Sequence, residues 1–128
     1  MSRGLADTSV FIGHESGRPL WADVLPDQLA VSVITVGELR AGVLAAMDLA
    51  TRDRRLATLT AVFALSPVPV DDDVAAAWAR LRVALRDRGR RMAVNDSWIA
   101  ATAIALGIPL VTQDDDHLDV PGLRVIRA

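Results

Sequence analysis

The chain contains no cysteine, no lysine and no tyrosine. Without Cys there is no disulfide framework, no thiolate nucleophile and no Cys-built zinc site. The two histidines, His14 and His117, are too few for a His-rich metal site. Long apolar runs are missing as well. Mean hydropathy is +0.30, but much of that comes from 21 Ala. The most apolar stretch, 98–111, is broken by Thr102, Gly107 and Pro109 and is too short to span a bilayer. Near the start, Asp7 interrupts any run that would serve as a signal peptide. These absences predict an intracellular, cytoplasmic protein with no membrane partner.

What is present fits one domain. The 128 residues are 52% hydrophobic and 23% charged, enough to bury a sizeable core. All 14 basic residues are Arg, and 14 of the 16 acids are Asp, the exceptions being Glu15 and Glu38. Such usage is what a GC-rich gene produces. The net charge of −2 neither advertises nor excludes a nucleic-acid partner, because four acids gathered at one metal would leave the remainder net positive.

Short apolar runs alternate with amphipathic segments. Residues 4–7 (GLAD) read as a buried strand ending in an acid, with Ser9 placed to cap a short helix. Residues 29–33 read as a second strand. From Thr35 the period changes, and Val36, Leu39, Val43 and Leu44 share a helical face. A further helix is predicted over 49–65 and a third strand over 66–70 (SPVPV). The acids Asp71–Asp73 favour a helix start, and Val74, Trp78, Leu81 and Leu85 give that helix an apolar stripe ending at Gly89. Asn95 is placed to cap a helix that ends at Gly107. Residues 108–112 (IPLVT) read as a fourth strand. After the turn at Pro121 and Gly122, residues 123–126 read as a last one. The alternation predicts an α/β domain with a mostly parallel sheet. Sites in such sheets lie beyond the carboxyl ends of the strands.

Four acids fall at that end. Asp7 closes the first strand, Glu38 lies in the first turn of the helix after the second, Asp96 opens the helix near Asn95, and Asp114 follows the fourth strand. Carboxylates brought together repel and raise one another's pKa. A hard divalent cation with oxygen ligands, Mg²⁺ or Mn²⁺, is the natural compensation. Mg²⁺ retains waters and suits an open catalytic site on a phosphate substrate, which points to phosphodiester hydrolysis.

The segments LADTSVFI, SVITVGELRAGV, VNDSWIAATAIALGIPLVT and QDDDHL, in this order over nearly the whole chain, resemble a PIN-domain ribonuclease of the VapC toxin family. The resemblance implies a single PIN domain over 1–128, with a three-layer α/β fold. It implies Mg²⁺-dependent endoribonuclease activity on tRNA or rRNA, with water as nucleophile. It also implies neutralisation by a VapB-type antitoxin, and a homodimer. Carried over by position, Asp7, Glu38, Asp96 and Asp114 match the family's acidic quartet. Asp7, Asp96 and Asp114 are then the metal ligands, and Thr112 is a supporting hydroxyl. Relatives often place Asp-Phe where this chain has His117-Leu118, so the acidic turn offers three successive acids. Asp114, two residues after Thr112, is the one that matches; Asp115 and Asp116 read as a solvated turn.

Several residues have two readings. Thr8 and Ser9 could contact a metal-bound water, and Ser9 equally suits a helix cap. Glu15 could approach the cleft but reads first as surface. His14 and His117 read as surface or loop residues rather than a general base. Trp78 and Trp98 read as core, while Trp21 is free to pack at an interface. Arg80, Arg82 and Arg86 read as a solvated helix face. Arg88, Arg90 and Arg91, in the turn leading to Asp96, are candidate RNA phosphate contacts. No aromatic interleaving marks a base-stacking platform. Leu39, Val43 and Leu44 divide between core and a groove for an antitoxin segment. Two other functions remain open: a metal-dependent phosphatase of the haloacid-dehalogenase type, disfavoured because Ser9 stands where its second acid would be, and a non-catalytic PIN-like interaction module.

Overall fold

The computed structural model describes residues 2–117 and 119–128. Along the chain run β1 (Arg3–Ala6), α1 (Thr8–Glu15), β2 (Gln28–Val31), α2 (Val33–Ala45), α3 (Leu49–Phe63), α4 (Asp72–Asp87), α5 (Val94–Leu106), β3 (Leu110–Thr112) and β4 (Val125–Arg127). A 3-10 turn lies at Ala22–Val24. The strands form one sheet in the order β2-β1-β3-β4, and every pairing is parallel. Leu5 pairs with Ala30 on one side and Leu110 on the other, so β1 and β3 are the two central strands.

Alternation along these strands sends successive side chains to opposite faces. Leu5 and Leu110 pack with Ile99 and Ala103 of α5. Ala6 and Val111 pack with Val10 of α1 on the other face. The sheet is therefore the middle of three layers. On the outside of α5, α4 adds Val74, Ala77, Leu81 and Leu85. There Trp78 and Trp98 stack with centroids 4.3 Å apart and planes 3° from parallel. The Trp78 indole N–H donates to Ser97 Oγ at 3.0 Å, and the Arg82 guanidinium lies 5.0 Å from its ring. Both tryptophans belong to the core as the sequence predicts. At the β2 edge, α2 and α3 pack through Val36, Leu39, Leu59 and Val62. Among the described residues, no helix is long and apolar enough to cross a membrane.

Several boundaries differ from the sequence reading, each for a local reason. The predicted third strand is reduced to a single bridge between Ser32 and Val68. Pro67 and Pro69 flank Val68 and have no N–H, so the ladder cannot extend. Helix α1 is capped by Asp7, not Ser9, through a bond from Thr8 N–H. Helix α5 begins at Val94, and no side chain caps it; Asn95 already lies inside the first turn. Ser32 caps α2, whose start at Val33 moves Glu38 into the second turn. The last strand is shifted to Val125–Arg127. Gly107 ends α5 with φ +67°, a left-handed conformation that suits glycine at a helix C-terminus. Leu118, part of the departure from the family pattern, lies outside the described residues.

Candidate functional site

Central, adjacent and parallel, β1 and β3 deliver their carboxyl ends side by side. Asp7 follows the first and Thr112 closes the second. Asp7 is 2% exposed, and its carboxylate is held from several directions. Oδ1 accepts from Thr8 N–H at 2.8 Å; Oδ2 accepts from the Ser9 and Thr112 hydroxyls, each at 2.9 Å. Both hydroxyl protons are thus committed to one carboxylate oxygen, and the 3.2 Å contact between Ser9 Oγ and Thr112 Oγ1 needs none. The two hydroxyl oxygens in turn accept backbone N–H groups of the next turn, Gln113 N at 3.0 Å on Ser9 and Asp114 N at 3.0 Å on Thr112. One wiring scheme therefore fixes Asp7 and the start of the acidic turn together.

Glu38 reaches the same cleft from α2. The Thr8 hydroxyl donates to its Oε1 at 2.8 Å and accepts from Thr35 Oγ1 at 2.9 Å. Asp96, in the first turn of α5, and the exposed Asp114 complete the wall. Asp7, Thr8, Ser9, Gly13, Arg18, Glu38, Asp96 and Asp114 all line one cleft of about 280 Å³. The structure thus brings all four acids of the sequence-derived quartet into one place, with Ser9 and Thr112 behind them.

His117 lies in a turn, as read, but is buried rather than at the surface. It is 1% exposed, and among the described residues neither ring nitrogen has a hydrogen-bond partner. Its Nε2 stands 3.5 Å from Asp7 Oδ2, an ion-pair distance. Ligand atoms of Asp7, Asp96 and His117 all lie within 4.8 Å of one another. No helical or strand period exposes this placement in the sequence; the only signal is a histidine directly after three acids. His14 is exposed, as read.

The three groups set one another's ionisation. Burial alone would lift the Asp7 carboxyl above 3.8; the adjoining His117 imidazole and the Ser9 and Thr112 hydroxyls outweigh it and hold the carboxyl below that value. Asp96 is raised above 3.8, by desolvation first and then by the charges of Asp7, Glu38 and Asp114, against the pull of His117. Desolvation opposes charge on His117, but Asp7, Asp96 and Asp114 prevail and raise it above 6.5. The clustered carboxylate oxygens are a donor set that suits a hard divalent ion.

The arginines divide. Arg90 donates to Asp119 O at 2.6 Å and to Asp116 O at 3.2 Å, gripping the backbone on both sides of His117. Arg90 thus holds the turn while also lining the groove beside it. Exposed Arg91 lines a groove of about 500 Å³ with Asp96, Asp115 and Asp116, and exposed Arg88 caps the end of α4. Arg127 Nε bonds Asp115 Oδ1 at 2.8 Å, so Asp115 is turned to a surface ion pair. Arg18, missed by the sequence reading, lines the acidic cleft and donates to Gln113 Oε1 at 3.3 Å. Glu15 is half-buried rather than surface and faces Arg54 at 3.6 Å.

Gly13 is buried where α1 passes this turn, and a Cβ there would collide with the Gln113 side chain. Leu39 and Val43 join the core, whereas Leu44 is 77% exposed. A groove of about 520 Å³ beside Glu38 is lined by Ile12, Glu15, Leu39, Arg54 and Arg55 among others. Trp21 is exposed.

Known proteins share this architecture. The PIN domain family profile matches residues 5–123. Ribonuclease VapC5 of Mycobacterium tuberculosis (strain ATCC 25618 / H37Rv) is 51% identical over 119 residues, covering 93% of this chain and 88% of that protein. Ribonuclease VapC4 of the same strain is 46% identical over 129 residues, covering 97% and 95%. The crystal structure of a member of the VapBC family of toxin-antitoxin systems, VapBC-5, from Mycobacterium tuberculosis matches with a TM-score of 0.92 at 46% identity, over 100% of both chains.

Proposed function

The chain belongs to the PIN-domain family, and from that premise we propose that it is a VapC-type ribonuclease toxin hydrolysing RNA at the acidic cleft. The observation that carries this reading is the convergence of Asp7, Glu38, Asp96 and Asp114 on one cleft from separate parts of the chain. The residues fit a divalent metal ion: clustered carboxylates, and a buried imidazole with no hydrogen-bond partner beside them. Asp7, Asp96 and Asp114 would hold Mg²⁺, with Mn²⁺ as substitute. When bound, such an ion polarises the scissile phosphoryl group and favours ionisation of the attacking water.

The chain's own residues do the positioning. Ser9 and Thr112 keep Asp7 ionised and unable to rotate. Thr8 holds Glu38 toward the opposite wall. Arg18 and Arg91, with Arg88 further out, offer guanidinium groups to the phosphates of a strand laid along the cleft and its neighbouring groove. Arg90 acts mainly by keeping the turn in place. Water is the nucleophile, so the RNA 2′-hydroxyl takes no part.

A VapB-type antitoxin is the partner, as the VapBC-5 likeness supports. Its segment would occupy the groove beside Glu38, and the exposed Leu44, Met47 and Leu49, at the end of α2, the connection and the start of α3, offer further apolar surface. A homodimer, a cytoplasmic location and a single domain over 1–128 complete the reading. Against the phosphatase alternative, the residue two after Asp7 is Ser9, a hydrogen-bond donor to that carboxylate rather than a second acid. Against a non-catalytic module stands the intact acidic cluster.

The test is to incubate the purified chain with total RNA, with and without divalent metal, and map the new ends. Cleavage leaving 5′-phosphates, absent in excess EDTA, is expected. Undiminished cleavage in EDTA would overturn the metal assignment. Faster turnover of a small phosphomonoester than of RNA would restore the phosphatase.

A further inference from the structure

We infer that His117 is itself a metal ligand, making the centre a mixed nitrogen–oxygen site that takes a first-row transition ion such as Mn²⁺ in preference to Mg²⁺. The inference rests on the metal-dependent reading above and adds to it which atoms bind and which ion they select.

The acids alone do not require it, but the imidazole does. A polar ring that is 1% exposed and has no hydrogen-bond partner on either nitrogen among the described residues is compensated only by the charges of Asp7 and its neighbours, and its nitrogens are open to a ligand. Such a group in a folded protein calls for an explanation. Here the ring faces inward: its Nε2 lies 3.5 Å from Asp7 Oδ2. Adjacent ligands around an ion with bonds of about 2.1 Å stand about 3.0 Å apart, and opposite ones about 4.2 Å. Ligand atoms of Asp7, Asp96 and His117, all within 4.8 Å of one another, are close enough for small side-chain shifts to bring them onto one ion. Arg90, clasping the carbonyls of Asp116 and Asp119, keeps the ring from swinging out.

The choice of ion follows from ligand chemistry. Mg²⁺ binds oxygen and dehydrates reluctantly, so replacing one oxygen by imidazole weakens it. First-row transition ions accept imidazole alongside carboxylates. His117 is therefore where the centre departs from an all-oxygen ligand set.

Mn²⁺ added to the chelator-treated protein provides the test. Pulsed EPR of the bound ion should show coupling to a ¹⁴N nucleus, shifted to the ¹⁵N pattern when histidine is labelled. Calorimetric titration should give Mn²⁺ binding at least about tenfold tighter than Mg²⁺. In His117→Ala and in the better space-filling His117→Asn, the nitrogen coupling should vanish and the preference for Mn²⁺ should shrink, with circular dichroism confirming the fold. Bound Mn²⁺ without histidine coupling in the native protein, or an unchanged preference in both folded variants, overturns the inference while leaving the metal-dependent nuclease intact. Absence of binding by either ion overturns both.

Discussion

Asp7 and Asp114 emerge from neighbouring strands of the same sheet, yet the protein treats them in opposite ways. Asp7 is buried, accepts three hydrogen bonds and faces an imidazole. Asp114 and the two acids after it are exposed; the backbone of Asp114 is fixed through Thr112, while its carboxylate has no bond among those described. One side of the cleft is rigid before any substrate arrives. The other keeps side-chain freedom on a fixed backbone, a division that lets one wall set geometry and the other adapt to ion and phosphate.

Removing the charge on the rigid side should have the largest effect. Asp7→Asn retains a side chain able to cap α1, so circular dichroism should be unchanged while RNA cleavage falls by at least about a hundredfold. Full activity in that variant would erase the contrast between the walls. Next is Thr112→Val, which keeps the shape but removes the donor to Asp7 and the acceptor for Asp114 N–H. Cleavage should fall by about tenfold, and a denaturant titration should show a stability loss of about 1–3 kcal/mol. A loss of activity without loss of stability would place Thr112 in the chemistry and not in the scaffold.

A pH series sharpens the comparison further. The raised His117 contributes stability that is fully present below pH 6.5 and is lost as pH rises through its folded value. The lowered Asp7 contributes stability present above pH 3.8 and lost as pH falls through its own folded value. Asp96 works the other way, its raised carboxyl costing stability once the pH passes 3.8. In chelator, the melting temperature of the native protein should therefore exceed that of His117→Asn most below pH 6.5, and the gap should narrow as the pH climbs. A gap that widens instead would mean the imidazole is neutral beside Asp7. The smallest effect belongs to the exposed turn beyond Asp114: Asp115→Asn breaks a surface pair with Arg127. It should change stability by under about 0.5 kcal/mol and leave cleavage rates within about twofold of the native protein.

The amino-acid sequence exposes the rigid wall better than its supports. An acid directly after a buried strand, as at Asp7, is costly unless it has a task, whereas Asp96 suits a helix start by position alone and is legible mainly through the family resemblance. Parallel pairing then follows from alternation of elements. His117 is hidden because burial of a turn residue depends on tertiary packing: Arg90, 26 residues earlier than Asp116, clasps that turn. Ser9 misleads because Asp, Thr and Ser all suit a helix entry, and only the fold shows Asp7 taking the cap while Ser9 serves the carboxylate. The strand expected at 66–70 fails because two prolines remove donors on either side of Val68. Sequence position places Arg90 in the turn leading to Asp96, but its carbonyl partners lie on a segment that no local pattern links to it.

Gly13 gives the acidic turn a vulnerability remote from any acid. Because a methyl group there meets the Gln113 side chain, replacing this glycine presses on the residue that precedes Asp114. Genetic selection for survivors of overexpression should then recover lesions at position 13 as well as at the carboxylates, and the milder ones would make attenuated alleles that poison slowly instead of not at all.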